Sequence, residues 1–252
     1  MDKLIKPGRI IFATGIMALG ILCIISKDFI VGRPPVSTWA AAIPGKICWA
    51  YISGTLLIIA GLAIIFKIKA RLASLIIGVM ILVFSFLLRH LYEMSDWLNA
   101  YKSLALSGGA FIVAASFSKK EGSSSGSFPL NHKLVFTGCI FLSLFLIACG
   151  ISHFKFAQFV KDFIPSYIPF RGFWTYFCGI CLLAGGVGIL MPSINKWAAL
   201  LSGIMIAGWF IMLHIPRFIA NTNDAGDRMG LCESFALAGI FFVLAAMFSR
   251  KR

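Results

Sequence analysis

The sequence predicts an all-α membrane protein, with eight transmembrane helices arranged as two tandem four-helix bundle repeats. Three observations carry this expectation. Of the 252 residues, 60% are hydrophobic and 13% charged, whereas soluble domains are about half apolar and about a quarter charged. Eight apolar stretches reach the roughly 17–25 residues that cross a hydrocarbon core as a helix. Finally, the first half of the chain recurs in the second. Because irregular backbone cannot face lipid, a helical bundle follows.

The spans read, in order, as 9–27, 46–66, 71–90, 101–118, 133–152, 173–191, 195–216 and 231–249. The first follows a short basic start and lacks a small-residue cleavage site, so it reads as an uncleaved helix. The fourth is near the lower limit of length. Residues 43–66 align with 168–191 at a constant shift of 125, pairing Pro44 with Pro169, Trp49 with Trp174, Gly54 with Gly179 and Gly61 with Gly186. The shift holds to Gly78 and Gly203, then becomes 131, pairing Ser103 with Ser234 and Gly108 with Gly239. The first spans of the two halves align only loosely. Four spans per unit leave both units in the same orientation, a parallel duplication. The expected division is 1–117 and 133–252 for the repeats, with a Gly/Ser-rich linker at 118–132.

The net charge of +14 comes from Lys and Arg grouped at the ends of apolar segments. That is topogenic use, and it argues against nucleic acid as a partner. The side holding both termini, the linker and loops 2–3 and 6–7 carries 13 of the 23 Lys and Arg, and only Asp2 and Glu121 of the acids. By the positive-inside rule both termini are cytoplasmic. The expected setting is a bacterial-type inner (plasma) membrane, with the lipid bilayer as the first partner. His90, His153 and His214 then sit at the outer ends of spans, so chemistry is expected there.

Residues 150–171 interrupt the apolar pattern. Read as a helix, Phe156, Phe159, Val160 and Phe163 share one face, while Lys155, Gln158 and Asp162 share the other. Pro165 and Pro169 end it. A short aromatic helix of this kind lies in the bilayer interface and would roof the second unit. Its counterpart at 28–44 lacks the aromatic run.

Several of these residues form a pattern similar to the DoxX family. They are Ser152-His153-Phe154 after a first helix, Ile164-Pro165 and Ile168-Pro169 before a second, and Gly179, Gly185, Gly186 and Gly188 within it. The chain resembles two such units fused, the second more closely than the first. The resemblance implies a four-helix fold and a membrane subunit linked to quinone or thiol redox chemistry, as in thiosulfate:quinone oxidoreductase. Other relatives act as assembly or trafficking factors without catalysis. A quinone as non-covalent ligand and a redox partner protein are what the first role implies.

The candidate residues carry both functional and packing readings. Cys178 and Cys181, on one helical face, form a C-x-x-C pair suited to thiol exchange; small residues at membrane helix contacts are the alternative. Seven cysteines without a second close pair offer no zinc spacing, and no metal site is expected. His153, His214 and Glu233 are expected to handle protons near the outer face. The alternatives are interfacial hydrogen bonding for the histidines and a favourable helix-dipole position for Glu233. A pairing of Glu233 with Arg217 or Arg228 is a further option. Arg89, Lys155, Tyr167, Trp174, Tyr176 and Arg217 complete the expected ligand-binding set, against a reading as snorkelling cations and an aromatic belt. The function expected is a membrane redox subunit holding a quinone-like or lipid ligand under the second roof. A non-enzymatic scaffold that binds lipid or a membrane partner is the alternative.

Overall fold

The computed structural model describes residues 2–28, 44–90, 97–117 and 127–250; the side chains of 2, 88–90, 127–129 and 250 stand outside that description. All regular structure among the described residues is helical. The helices are α1 (Ile5–Ser26), α2 (Lys46–Ile65), α3 (Ala70–Met80, continued by π turns over Ile81–His90), α4 (Trp97–Ser116), α5 (Ser127–Lys155) and α6 (Ala157–Phe163). Then follow α7 (Arg171–Leu190), α8 (Asn195–Trp209, π turns over Phe210–His214, then Ile215–Ala220) and α9 (Ala225–Arg250). The segment at 28–44 expected to be a degraded roof lies almost wholly outside the described residues. The expected linker is shorter than 118–132, because residues 127–132 are already the first turns of α5.

Seven of these helices are long and apolar enough to cross a membrane: α1, α2, α3, α5, α7, α8 and α9. The chain is a multi-pass membrane protein. The fourth expected span, α4, falls outside the seven because it carries Asn99, Lys102, Ser103, Ser107 and Ser116. Its surroundings explain that composition. Every residue from Ser103 to Ala115 is buried, so α4 meets protein on all faces and has no lipid face to make apolar. Ser107 Oγ donates across to the Gly78 carbonyl of α3 at 2.8 Å. Of the seven, α9 is the most enclosed at 72% and α8 the least at 22%.

The packing is a closed ring. Helix α1 packs on α2, α2 on α3, α3 on α4, α4 on α5, α5 on α7, α7 on α8, α8 on α9, and α9 back on α1; α4 and α9 also meet across the middle. Lipid offers no hydrophobic drive between helices, so close backbone approach through small residues holds such a ring. A Cβ on Gly54 would lie 2.7 Å from the Gly20 carbonyl oxygen, and one on Gly150 would lie 3.0 Å from that of Gly179. One on Gly239 would meet the Gly8 oxygen at 2.6 Å, and one on Gly138 would meet that of Gly108 at 2.5 Å. One on Gly61 or Gly186 would stand 3.0 Å from the oxygen of Ala13 or Ser143. These contacts pair Gly8 with Gly138 and Gly20 with Gly150, a shift of 130. The two π segments, Ile81–His90 and Phe210–His214, overlap under the shift of 125, which carries 81–90 onto 206–215.

Candidate functional site

At the end of the bundle opposite the N-terminus, α5 ends and α6 turns across the second unit. Phe156 breaks the helix between them, and α6 stops before Pro165. Phe159, Val160 and Phe163 face inward, while Gln158 donates to Asp162 on the exposed face at 2.9 Å. That is the expected split of faces only in part: Phe156 lies exposed at the bend, and Phe159, though it touches the space beneath, is 62% exposed. The two Ile-Pro pairs work as anchors. Ile164 and Ile168 are buried against Leu213, with Phe163, Trp174 and Trp209 packed around them. The prolines beside them end helical hydrogen bonding.

Two side chains fasten this roof to α8. Pro216 has no N–H to give the Met212 carbonyl four residues earlier, and the Tyr167 hydroxyl donates to that carbonyl instead. Arg217 stacks its guanidinium 3.7 Å from the centre of the Phe163 ring and donates through Nη1 to the Phe163 carbonyl at 3.2 Å. The same guanidinium holds Asp227 in a fork, Nε to Oδ1 at 2.8 Å and Nη2 to Oδ2 at 3.3 Å. Asp224 Oδ1 accepts from the Asp227 N–H at 2.7 Å, an N-cap on α9.

Under the roof lies a cavity of about 270 Å³, close to the ~300 Å³ lower end of small-molecule pockets. Its walls are mostly apolar: Phe145, Leu182, Met205, Leu213 and Leu237, with Trp174 edge-on to Trp209 at 6.1 Å. Four polar groups interrupt them. His153 Nδ1 lies 2.8 Å from the Cys149 carbonyl oxygen; a carbonyl only accepts, so Nδ1 carries the proton and Nε2 is the acceptor of the neutral ring. His214 is set by the π turn, its ring edge-on to Phe163 at 6.5 Å. It has room because residue 230 is glycine: a Cβ there would stand 3.0 Å from His214 Nδ1. Glu233, 2% exposed, takes the Lys102 ammonium on Oε2 at 2.7 Å. Its other oxygen, Oε1, is buried with no hydrogen-bond partner among the described residues.

The structure brings together His153, His214, Glu233, Cys178 and Trp174 of the expected set. Arg217 is not part of the lining and binds Phe163 and Asp227, not Glu233. The alternative pairing of Glu233 with Arg217 or Arg228 is therefore corrected: Lys102 reaches it from α4. Tyr167 and Tyr176 are exposed, the first bound to Met212 and the second tilted against Phe154 at 5.9 Å. Lys155 is exposed beside Phe156. Cys178 lines the cavity and accepts the Trp209 indole N–H at 3.3 Å, whereas Cys181 is not part of the lining. None of the seven cysteines is in a disulfide. The side chain of Arg89 lies outside the described residues. No group of three His, Cys, Asp or Glu suited to a metal occurs among the described residues. Sequence reasoning missed Lys102, Trp209, Cys149 and Leu98 as wall residues. For Lys102 a signal existed, since the shift of 131 makes it the counterpart of Glu233.

Residues 142–228 match the family described as "Domain of unknown function (DUF8561)". That span runs from the middle of α5, through the roof, to the start of α9. No curated protein and no solved structure matches the chain.

Proposed function

We propose that this chain is a membrane subunit that holds a quinone-like or lipid ligand in the cavity beneath α6, within two tandem four-helix units whose eight helices all cross the bilayer. The observation that carries the reading is the composition of the cavity wall. Aromatic and aliphatic side chains surround a small polar cluster of His153, His214 and the Lys102–Glu233 pair. An apolar chamber with a few convergent polar groups suits an amphipathic molecule, whose body fills the wall and whose head meets the cluster. Packing alone gives no reason to bury Glu233 Oε1 in that lining without a hydrogen-bond partner among the described residues, because an unmet buried polar group is costly. Supporting the eight-span reading, α4 needs no lipid face, and the recurrent glycine contacts follow the sequence shifts. The positive-inside count supports cytoplasmic termini, and the proposed setting is a bacterial-type inner membrane with the cavity under its outer surface.

Service in a respiratory or thiol-redox system, next to a redox partner protein, is the fuller form of this proposal. His153, His214 and Glu233 are its proton-handling groups. Cys178 faces the ligand and Cys181 does not, so a thiol step would run through Cys178 alone. The test is mass spectrometry of small molecules extracted from protein purified in mild detergent, compared with a Cys178→Phe variant that fills the cavity. A discrete amphiphile enriched in the unmodified protein and lost from the variant is the expected result. Identical bulk-lipid profiles for the two would refute the reading.

A further inference from the structure

Resting on that reading, we infer that the ligand presents a neutral hydroxyl to Glu233, so that the cavity selects a phenol, hydroquinone or alcohol over a carbonyl compound of the same shape. The geometry is specific at one atom. Glu233 Oε2 is taken by the Lys102 ammonium at 2.7 Å, and Oε1 is buried in the cavity lining with no hydrogen-bond partner among the described residues. A buried carboxylate oxygen only accepts, and leaving it bare costs more than the bond would yield. Three neighbouring donors are committed within the wall. Trp209 Nε1 donates to Cys178, Ser234 Oγ to the Leu231 carbonyl, and His153 Nδ1 to the Cys149 carbonyl, leaving His153 Nε2 an acceptor in the neutral ring.

Charge narrows the choice further. Lys102 and Glu233 already balance, so an ammonium head would be set beside Lys102 and a carboxylate or phosphate head beside Glu233, like against like in both cases. A carbonyl oxygen drawn to Lys102 would point its lone pairs at the carboxylate. A hydroxyl satisfies both groups, since its proton goes to Oε1 and its oxygen accepts from the ammonium. If the ligand is quinone-like, its reduced form is therefore the one that fits. A single water meets Oε1 as well, but a water occupies only about 30 Å³ and leaves most of the cavity to an apolar body.

The test uses two probes of nearly equal shape, para-hexylphenol and para-hexylanisole, titrated into the full-length protein in mild detergent. Binding is followed by quenching of Trp174 and Trp209, which line the cavity. The phenol is expected to bind at least about tenfold tighter, and the preference to fall below about threefold in Glu233→Gln, where an amide N–H faces the cavity instead. The comparison on the unmodified protein stands by itself if that variant does not fold. Equal binding of both probes, abolished by Cys178→Phe, overturns the hydroxyl inference and leaves the cavity reading intact. A preference that survives in Glu233→Gln also overturns it. Failure of both probes to bind, or binding undiminished in Cys178→Phe, overturns the cavity reading and this inference with it.

Discussion

Replacing Lys102 by Met should be among the most damaging single changes that leave every backbone contact in place. Glu233 is 2% exposed and its one partner among the described residues is Lys102, whose own side chain is 14% exposed. Once Lys102 is gone, Glu233 holds a buried charge with two unmet oxygens. Breaking one side of a buried pair costs about 3–5 kcal/mol, while replacing both partners by apolar groups is neutral or stabilising by about 1–4 kcal/mol. In a chain of this size 1 kcal/mol moves the thermal midpoint by roughly 2–4 °C. Lys102→Met should therefore lower the midpoint by about 6–20 °C, and the double variant Lys102→Met with Glu233→Met should restore most of it. Tryptophan fluorescence on heating in mild detergent reads both. A midpoint unmoved by Lys102→Met, or a double variant as unstable as the single, would show that the pair does not bridge α4 and α9.

Three other outcomes follow from the same geometry. Arg217→Ala removes the fork to buried Asp227 and the bond to the Phe163 carbonyl, where hydrogen bonds to charged groups are worth about 1.5–3 kcal/mol each. Amide hydrogen exchange should rise across 157–163 and stay unchanged in α1 and α2, with Tyr167→Phe giving a smaller rise. Gly239→Leu would drive a Cβ to 2.5 Å from the Phe12 backbone nitrogen and should split α9 from α1, read as lost monodispersity on gel filtration; Gly172→Ala, with open space around it, should elute normally. Phe170 holds φ 54° where its counterpart is Gly45 at φ 69°. Phe170→Gly should relieve about 1–2 kcal/mol of left-handed strain, less about 0.5–1 kcal/mol for added chain freedom, and raise the midpoint by a few degrees.

The roof was legible because its signals are local. A 3.6-residue aromatic pattern and two Ile-Pro pairs fix a short helix, its stop and its anchors within 20 residues of chain. The expected duplication rests on a signal of the same kind, self-similarity along the sequence. What escaped is long-range and depends on how the two halves meet. Glu233 looked free to pair with Arg217 because both sit at the same end of the bundle. Arg217, however, is claimed by Asp227 on the first turns of α9 and by the carbonyl that ends α6. The Tyr167 latch had a sequence sign in Pro216, since a proline inside a helix frees a carbonyl four residues back, but which hydroxyl would reach it requires the tertiary path. Hydropathy leaves α4 outside the seven apolar helices because its residues from Ser103 to Ala115 are buried in protein and need no apolar surface.

The Lys102–Glu233 pair also bears on why a duplicated chain would carry one polar site. On the tandem reading the two residues are equivalent positions, 131 apart, on the last helix of each unit. Equivalent helices meet at a pseudo-twofold axis, so equivalent residues face one another there. In a symmetric pair of identical units that position would set like against like, two ammonium groups or two carboxylates 2–3 Å apart, which is strongly unfavourable. A fused duplicate escapes the constraint because each copy of the position mutates alone. On the same reading the walls match: Trp49, Ser53, Met80 and Phe84 line a pocket in the first half where Trp174, Cys178, Met205 and Trp209 line the cavity in the second. The polar cluster does not, for Cys23 stands where His153 stands at the shift of 130. Exchanging the pair, Lys102→Glu with Glu233→Lys, preserves the bridge while moving the free acceptor to α4. It should retain the thermal midpoint within about 3 °C, by the same scale as above, and lose para-hexylphenol preference. A collapse in stability would mean that the two positions are not equivalent about an axis.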